Sequence, residues 1–289
     1  MARKRRLCGT MAAHMRLLEE YAPFRGRQRR LEQETTRRRS LAAAAAAKLP
    51  LVKVPVVVNV VYRTEEQNVP LAQIRSQIAV LNRDYARTNK DRTKVPDPWK
   101  GLATDSRLRF KLAKVTRTET TRSSFSTDDA VKSTARGGIP PFEPDTHLNL
   151  WVCALSNGVL GYAQFPGGPA KTDGVVIDYR AFGTTGTAEA PFDLGRTATH
   201  EVGHYFNLRH IWADTEDCSG SDYVADTPNA AGPNFGTPRF PVVSCGNGPH
   251  GDMFMNYMDY VDDAAMFLFT AQQVTRMRTA LEEARPGLA

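Results

Sequence analysis

Apolar and polar residues alternate with different periods along the chain, and each period predicts a different element. An unbroken β-branched run over residues 51–62 is typical of a strand that is buried on both faces. Apolar residues then recur at helical spacing at Ile74, Ile78 and Leu81, which predicts an amphipathic helix over residues 73–86. The body of the chain therefore begins with a strand and a helix.

Three further segments have the pattern of strands. Residues 107–117 alternate apolar with basic positions, as a half-exposed strand does. Residues 147–155 and 173–183 are largely apolar runs of strand length. A strand, a helix and then several strands predict an α/β fold with a mixed sheet.

The pattern changes in the last third of the chain. Residues 195–208 place apolar and histidine residues on one helical face, whereas residues 211–256 are rich in Asp, Gly, Pro and Asn and predict irregular coil. Helical spacing then returns, with Thr270 and Gln273 in a capping-box pattern and Pro286 after the predicted end.

Positive charge is concentrated in the N-terminal segment. The formal net charge is +7, but residues 1–48 carry 13 Lys and Arg against four Asp and Glu, so the remaining 241 residues carry a net charge of −2. A basic groove on the folded body, which nucleic-acid binding needs, is not indicated. We interpret residues 1–48 as a basic, partly disordered pro-segment or linker, and residues 49–289 as the folded body.

No apolar run reaches the ~20 residues needed to cross a bilayer, so no membrane span is predicted. The chain begins with basic residues, but no apolar stretch of signal-peptide length follows them, since Cys8, His14 and Arg16 interrupt it. The expectation about the compartment must therefore come from other features.

The segment HEVGHYFNLRH, residues 200–210, carries the chemistry. His200 and His204 are four residues apart on a predicted helix, so both imidazoles project from one face and can bind one zinc ion at ~2.0–2.1 Å. Glu201 lies beside the first ring, where its carboxylate can take a proton from water at the metal. Alone, this short motif could be a chance match.

His210 removes most of that ambiguity. It follows His204 by six residues, so a straight helix would turn it away from the metal, and the helix must end between them. Asn207 stands where this turn is needed, and Asn is among the non-glycine residues that most readily adopt a left-handed backbone. Three histidine ligands with an open fourth position are the pattern of a catalytic zinc site.

This segment resembles the HExxHxxGxxH signature of the metzincin metalloproteases, with Asn207 in place of the usual glycine. A methionine turn, the second mark of these enzymes, is matched by residues 256–260. The surrounding sequence narrows the resemblance to the pappalysin family and extends it collinearly over residues 51–281. The family-like segments are VLNRDYA, LNLWVC, GYAQFPGG, HEVGH, ADTPN, NYMDY and FTAQQVTRMR.

The resemblance implies a metzincin-like fold with two subdomains. The twisted sheet and the active-site helix would form the upper one, residues 49–207, and irregular coil with the C-terminal helix would form the lower one, residues 208–289. The resemblance also implies that Met258 forms a hydrophobic floor under the zinc and that Tyr260 stabilises the oxyanion of the reaction. On general grounds, both could instead be ordinary buried residues.

Three of the four cysteines acquire implied roles in the same way. The resemblance pairs Cys218 with Cys245 in a disulfide, which indicates an oxidising, extracellular compartment. It makes Cys8 a zinc ligand that keeps the enzyme inactive until the pro-segment is cut, and an exposed thiol on a tail is the alternative. Cys153, within a predicted strand, is expected to be a buried free thiol.

Two clusters of acidic residues give less specific predictions. Asp222, Asp226 and Thr227 offer the hard oxygen ligands that calcium takes, and the resembled family often binds calcium there, but acidic loops are usually only solvated. Asp262 and Asp263 follow the methionine turn, where a carboxylate in the primed-side pocket would favour Arg or Lys after the scissile bond. Simple surface charge is the alternative for this pair.

The sequence therefore predicts a secreted zinc endopeptidase that acts on protein substrates and is made as a zymogen. By resemblance, the substrate would pair antiparallel with an edge strand within residues 158–168. A catalytically silent zinc-binding protein is the alternative from another class, and the presence of Glu201 argues against it. An intracellular enzyme is a third alternative, which the redox state of Cys218 and Cys245 would separate from a secreted one. The oligomeric state is left open.

Overall fold

One mixed sheet lies at the centre of the fold, as the apolar runs predict. The computed structural model describes residues 5–39 and 49–289. The strands are β1 (Val52–Tyr62), β2 (Leu108–Glu119), β3 (Leu148–Cys153), β4 (Gly161–Ala163) and β5 (Val175–Asp178). Their order is β2–β1–β3–β5–β4, and neighbours are parallel except for the antiparallel pair β4 and β5. The short strand β4 therefore forms one edge of the sheet.

The burial of the strands follows their sequence patterns. Every residue of β1 from Val56 to Val61 is buried, as expected for a strand that is covered on both faces. Strand β2 is largely exposed along its second half, in keeping with its alternating basic positions. The strand predicted over residues 173–183 is shorter than expected, because the Asp178 carboxylate accepts from the backbone N–H of Arg180 and the chain enters a 3-10 turn.

Six α-helices accompany the sheet in the described residues: α1 (Thr10–Glu20), α2 (Pro23–Arg39), α3 (Leu71–Tyr85), α4 (Asp97–Lys100), α5 (Arg196–Tyr205) and α6 (Ala271–Ala284). Helix α5 is buried along its whole length and contacts β4, β5 and α3. The capping box predicted for α6 is confirmed, since Thr270 and Gln273 exchange hydrogen bonds. None of the helices in the described parts of the chain has the length and apolar character needed to span a membrane.

The chain between α5 and α6 is irregular, as its composition predicts. The described residues of this region contain one 3-10 turn, Asp263–Ala265, and isolated bridges. Cys218 and Cys245 form the expected disulfide, with Cα atoms 5.3 Å apart, and Cys153 is a buried free thiol. The disulfide gives this coil a crosslink where it has little regular structure to hold it.

The prediction of a partly disordered N-terminal segment is wrong for residues 10–39, which form α1 and α2. Helix α1 buries His14 and Leu17, and α2 buries Phe24. These helices have few large apolar residues, but the body of the protein buries them. The average composition of the segment therefore does not reveal that a few apolar residues lie on one buried face of each helix. The alanine run at residues 42–47 lies outside the described residues.

Ion pairs join α2 to α6. Glu32 pairs with Arg276, while Arg38 pairs with Glu282 and Glu283. Acidic residues of the body therefore balance part of the positive charge of the N-terminal segment. The net charge of the segment alone does not reveal these ion pairs.

Candidate active site

Helix α5 carries the first part of the predicted motif. His200 and His204 lie one turn apart on it, and their Nε2 atoms are 3.1 Å apart. Both histidines are fully buried, and Glu201 is 1% exposed. Since α5 is enclosed by α3 on one side and by β4 and β5 on the other, the core fixes the positions of these side chains.

The helix ends at the predicted turn. Asn207 has a φ of +73°, the left-handed conformation that the sequence predicts at this position. The backbone N–H of Leu208 donates back into the last turn of α5 at 2.9 Å. The chain then returns, so that Nε2 of His210 lies 3.2 Å from Nε2 of His200 and 3.1 Å from Nε2 of His204.

The three histidines fit a single zinc ion. In a tetrahedral site with Zn–N distances of ~2.0–2.1 Å, two ligand nitrogens lie about 3.3 Å apart, close to the observed spacing. The Nδ1–H groups of His200 and His204 donate to the carbonyl oxygens of Tyr257 and Leu208, each at 2.7 Å, and Nδ1 of His210 also has an acceptor. Burial, and then the neighbouring rings, hold the pKa of His200 and of His204 well below the usual value. Neutral imidazoles whose Nε2 lone pairs face one another suit a cation between them.

Cys8 completes this cluster from the N-terminal segment. Its Sγ lies 3.5 Å from Nε2 of His204 and 3.5 Å from Oε2 of Glu201. The Sγ and the three Nε2 atoms all lie within 4.8 Å of one another, and no other such group of three or more His, Cys, Asp or Glu occurs in the described residues. Thiolate and imidazole are both ligand types of zinc, which is usually bound by four ligands in a tetrahedral arrangement.

Thr10 covers Glu201 from the same segment. The Thr10 hydroxyl donates to Oε2 of Glu201 at 2.7 Å and accepts from the backbone N–H of Ala163 at 2.8 Å. Burial raises the pKa of Glu201 to about 7, against the lowering effect of the hydrogen bonds from Thr10 and Cys8. A carboxyl group with a pKa near neutrality is suited to accept a proton and to return it. Sequence reasoning missed Thr10, because its local pattern gives no sign of a partner 191 residues away.

The N-terminal segment also pairs with the sheet edge where a substrate is predicted to bind. Strand β4 lies within residues 158–168, and Cys8 forms a parallel bridge with Gly161. The backbone N–H of Gly9 donates to the carbonyl oxygen of Gly161 at 2.8 Å. The segment therefore runs parallel to β4, whereas a substrate is predicted to run antiparallel to it.

Tyr260 borders the histidine cluster, and Met258 packs against α5. Met258 is fully buried against α5, and a Cβ atom at Gly203 would lie 2.5 Å from its Sδ, so a larger residue at Gly203 would displace it. The Tyr260 ring is edge-on to His210, with centroids 4.8 Å apart. Burial, and then the neighbouring Cys8, raise the pKa of the Tyr260 hydroxyl above its usual value.

Asp263 holds an arginine of the N-terminal segment. Nη2 of Arg6 donates to Oδ1 of Asp263 at 2.6 Å, and both side chains are buried. Nη1 donates to the Thr197 hydroxyl at 3.0 Å, and Nε donates to the carbonyl oxygen of Val261 at 3.3 Å. The guanidinium also lies over the ring of Phe192, 4.9 Å from its centroid. The alternative that Asp263 is surface charge is therefore wrong.

Asp262 lies beside this arginine-binding pocket but plays a different part. It is 5% exposed, so it is not simple surface charge either, and its backbone N–H donates to the carbonyl oxygen of Gly236 at 2.8 Å. The salt bridge to Arg6 is made by Asp263, so the pocket prediction rests on that residue. Sequence reasoning missed Arg6, although its spacing two residues before Cys8 places both side chains on one side of an extended segment.

The candidate calcium ligands have protein donors as partners. Oδ2 of Asp222 accepts from the Thr227 hydroxyl at 2.6 Å. Asp226 accepts from the Thr270 hydroxyl at 2.6 Å and from the backbone N–H of Gln272 at 3.0 Å, at the start of α6. These hydrogen bonds give both carboxylates a structural role without a cation. Calcium binding by Asp222, Asp226 and Thr227 stays a prediction.

The turn at Asn207 leads to a test of how His210 is positioned. We expect Asn207→Gly to retain zinc and Asn207→Val to lose it, because a φ of +73° costs a non-glycine residue roughly 1–2 kcal/mol and a β-branched residue resists it further. Zinc content after dialysis and thermal unfolding of each chain measure the effect. A Val variant with the zinc content of the wild type would show that the turn does not require this conformation.

This chain is similar in sequence to known proteins over most of its length. The family model described as "Pregnancy-associated plasma protein-A" matches residues 142–282. The extracellular metalloprotease of Arthroderma otae is 31% identical over 227 residues, covering 76% of this chain and 74% of that protein. Extracellular metalloprotease 1 of Coccidioides posadasii is 34% identical over 223 residues, covering 74% of this chain and 70% of that protein.

Solved structures share both the sequence and the fold. A mutant of promirolysin from Tannerella forsythia is 41% identical with a TM-score of 0.87, covering 98% of this chain and 97% of that one. Mature mirolysin from Tannerella forsythia, in complex with a cleaved peptide, is 46% identical with a TM-score of 0.80, covering 82% of this chain and 96% of that one. The fold and the relatives define a metalloendopeptidase of the metzincin type. The chain belongs to the pappalysin family of metzincin metalloproteases.

Proposed function

We propose that this chain is a secreted zinc endopeptidase made as a latent precursor, with residues 1–48 as its pro-segment and residues 49–289 as its catalytic domain. The observation that carries the proposal is the cluster in which Cys8 of the N-terminal segment meets three histidines of the body. Removal of the segment would leave three histidine ligands and an open fourth position, which is the arrangement of catalytic zinc sites.

The residues around the cluster supply the parts of a hydrolytic mechanism. When bound, zinc supplies the Lewis acidity that polarises the scissile carbonyl and makes water a better nucleophile. Glu201, the carboxylate next to His200 on α5, takes the proton of the attacking water and returns it to the leaving amine. The Tyr260 hydroxyl donates a hydrogen bond to the oxyanion that develops on the substrate carbonyl, and Met258 packs as the floor of the site. A catalytically silent zinc-binding protein has no need of a buried base beside the cluster, so Glu201 favours the enzyme.

The N-terminal segment blocks each of these parts in the full-length chain. Thr10 engages the base, and Cys8 contacts both Glu201 and His204 of the cluster. Arg6 fills the pocket in front of Asp263, and β4 is already paired. Substrate binding and proton transfer therefore both require that the segment leaves.

The solved relatives support the proposed boundary. Promirolysin aligns with 98% of this chain and mature mirolysin with 82%, a difference that corresponds to about 46 of the 289 residues. That length is close to the 48 residues that we assign to the pro-segment.

The Arg6 pocket supports a preference for Arg or Lys after the scissile bond. Oδ2 of Asp263 accepts from the backbone N–H groups of Leu194 and Arg196 at 2.9 and 3.1 Å, which fixes the carboxylate and leaves Oδ1 for a cation. The pocket also offers a hydroxyl, a carbonyl and an aromatic face to a guanidinium. A substrate side chain of the same chemistry would take the place of Arg6.

We expect Asp263→Asn to lower the preference for Arg and Lys over neutral residues by about 10- to 100-fold, because a charge-assisted hydrogen bond contributes about 1.5–3 kcal/mol. The measurement is cleavage-site mapping on a peptide library with the processed chain. Asp262→Asn separates the two candidate residues and should keep the preference. An Asp263→Asn enzyme with unchanged preference would assign the specificity to another group.

Secretion is supported by two observations. The curated relatives are named extracellular metalloproteases. The disulfide between Cys218 and Cys245 belongs to an oxidising compartment, which argues against the intracellular alternative.

The proposed function is tested by metal analysis together with proteolysis. We expect one zinc per full-length chain, and we expect the processed chain to cleave unfolded protein in a reaction that a zinc chelator stops and added zinc restores. A chain without bound zinc, or cleavage that is insensitive to the chelator, would contradict the proposal.

A further inference from the structure

The three histidines of the cluster are not held in the same way. Nδ1 of His200 and Nδ1 of His204 each donate to a backbone carbonyl oxygen at 2.7 Å. Nδ1 of His210 instead contacts a side chain, Oδ1 of Asp214, at 2.6 Å. The orientation of one ring of the cluster therefore depends on a residue that substitution can remove.

This difference matters because His210 lies beyond the end of α5. His200 and His204 project from a buried helix, whereas His210 lies in the irregular chain that follows it. Trp212 stacks on the His210 ring, with centroids 4.4 Å apart and an interplanar angle of 8°, and fixes its plane. Stacking does not determine which ring nitrogen carries the proton, but a carboxylate at Nδ1 does, and it leaves the lone pair on Nε2.

The backbone that brings Asp214 to the ring is unusual. Ala213 and Asp214 have φ values of +56° and +58°, and the N–H of Ala213 donates to the carbonyl oxygen of His210 at 2.9 Å. Aspartate tolerates this region, but alanine has no side-chain group that compensates for the strain. A turn of non-glycine residues in the left-handed conformation is strained and persists only where the surrounding structure stabilises it. Here the turn places the Asp214 carboxylate against the fully buried imidazole of His210.

We propose that Asp214 is a positioning residue of the metal centre, which holds His210 with Nε2 directed at the shared site. The inference rests on the proposed zinc-binding function of the cluster. Asp214 does not contact the space between the three Nε2 atoms. It acts through His210, by accepting its Nδ1–H and by placing a negative charge behind the ring, which strengthens the ring as a metal ligand.

The test measures zinc retention and does not use activity. All variants are made in the full-length Glu201→Ala chain, which we expect to stay in one uncut form, and zinc transfer to a fluorescent chelator gives the dissociation constant. We expect Asp214→Ala to raise this constant by about 10- to 100-fold, as loss of such a partner commonly does, and Asp214→Asn to raise it less because an amide oxygen still accepts the Nδ1–H. Glu216→Ala removes an exposed acid two residues further along the same loop and should leave it unchanged.

The outcomes separate this inference from the proposed function. If the Glu201→Ala reference chain binds no zinc, the proposed function fails. If the reference binds one zinc and Asp214→Ala retains it as tightly, the role of Asp214 is wrong. Thermal unfolding of the zinc-loaded chains shows whether each variant folds. Should the Ala variant not fold, the nearly isosteric Asn variant decides, and a dissociation constant equal to that of the reference overturns the proposal.

Discussion

Replacing Glu201 by alanine is expected to lower peptide-bond cleavage by the processed chain about 100- to 10,000-fold, while one zinc per chain remains bound. The carboxylate lies beside the histidine cluster but is not one of its candidate metal ligands, so its loss should remove a base and leave the metal site intact. Thr10 leaves with the pro-segment, so in the processed chain the substitution breaks no hydrogen bond between these two residues, and the variant should also keep its fold. Cleavage of a quenched fluorescent peptide and metal analysis of the same sample measure the two effects.

A matched control for this variant is Glu216→Ala, which removes an exposed acid of the body. Each chain is processed by a trace of an unrelated protease that is then inhibited, since the Glu201→Ala chain cannot cut itself under our account. Wild-type cleavage rates from the pure Glu201→Ala enzyme would contradict the role of Glu201. A variant that loses both zinc and activity would instead show that Glu201 supports the metal.

Replacing Cys8 by alanine is expected to shorten latency. The full-length variant should become active sooner than wild type or be cut during expression, because loss of the thiol from the cluster weakens the hold of the segment on the site. Arg6 and Thr10 still contact the body, so the segment should remain bound more weakly rather than be released completely. The measurement is the initial rate of peptide cleavage by freshly purified full-length protein, compared with wild type.

Two further chains make this result specific. Cys153→Ala removes the other free thiol, which is buried in β3, and it should stay latent. The double variant Cys8→Ala, Glu201→Ala should stay full length, which would show that any cutting of the single variant is self-cleavage. A Cys8→Ala chain that is as inactive as wild type would mean that the contacts of Arg6, Thr10 and the β4 pairing are enough for latency.

The centre of the site was predictable because its information is local. Two histidines four residues apart on a helix share a face, and the position of Asn207 follows from the need to turn the chain before His210. The observed φ of +73° at Asn207 confirms that step. The capping box at Thr270 was predictable for the same reason, since both of its residues lie within one turn.

The contacts of the N-terminal segment were not predictable in this way. Arg6 meets Asp263 across 257 residues of sequence, and Thr10 meets Glu201 across 191. Neither contact has a periodic pattern, and the high positive charge of the segment favoured a solvated arm. The charge of Arg6 is buried against a carboxylate of the body, so net charge could not show where that residue lies.

Asp214 was missed for a third reason. Its four-residue spacing from His210 would indicate a contact only within a helix, and the sequence predicts coil at that point. The pair of left-handed residues that brings the two side chains together depends on the surrounding fold. Pattern reasoning finds ligands on regular elements, whereas a partner held by an irregular turn requires coordinates.

The structure also narrows the range of residues within which the precursor should be cut. Cleavage within residues 23–39 is disfavoured, because α2 is helical to Arg39 and a protease needs an extended chain. Between Ser40 and Pro50, Lys48 is the one basic residue. If the Asp263 pocket selects a basic residue after the cut, self-processing should produce a chain that begins at Lys48, one residue before the proposed domain boundary.

The central claim is that the N-terminal segment keeps a zinc peptidase inactive by occupying its site. The most direct measurement is a time course in which N-terminal sequencing and peptide cleavage are followed on the same sample of purified full-length wild type. We predict an initially inactive chain whose activity rises in proportion to the fraction that has lost its first 47 residues and begins at Lys48. A chain that is fully active while its N-terminus is still intact would contradict the account.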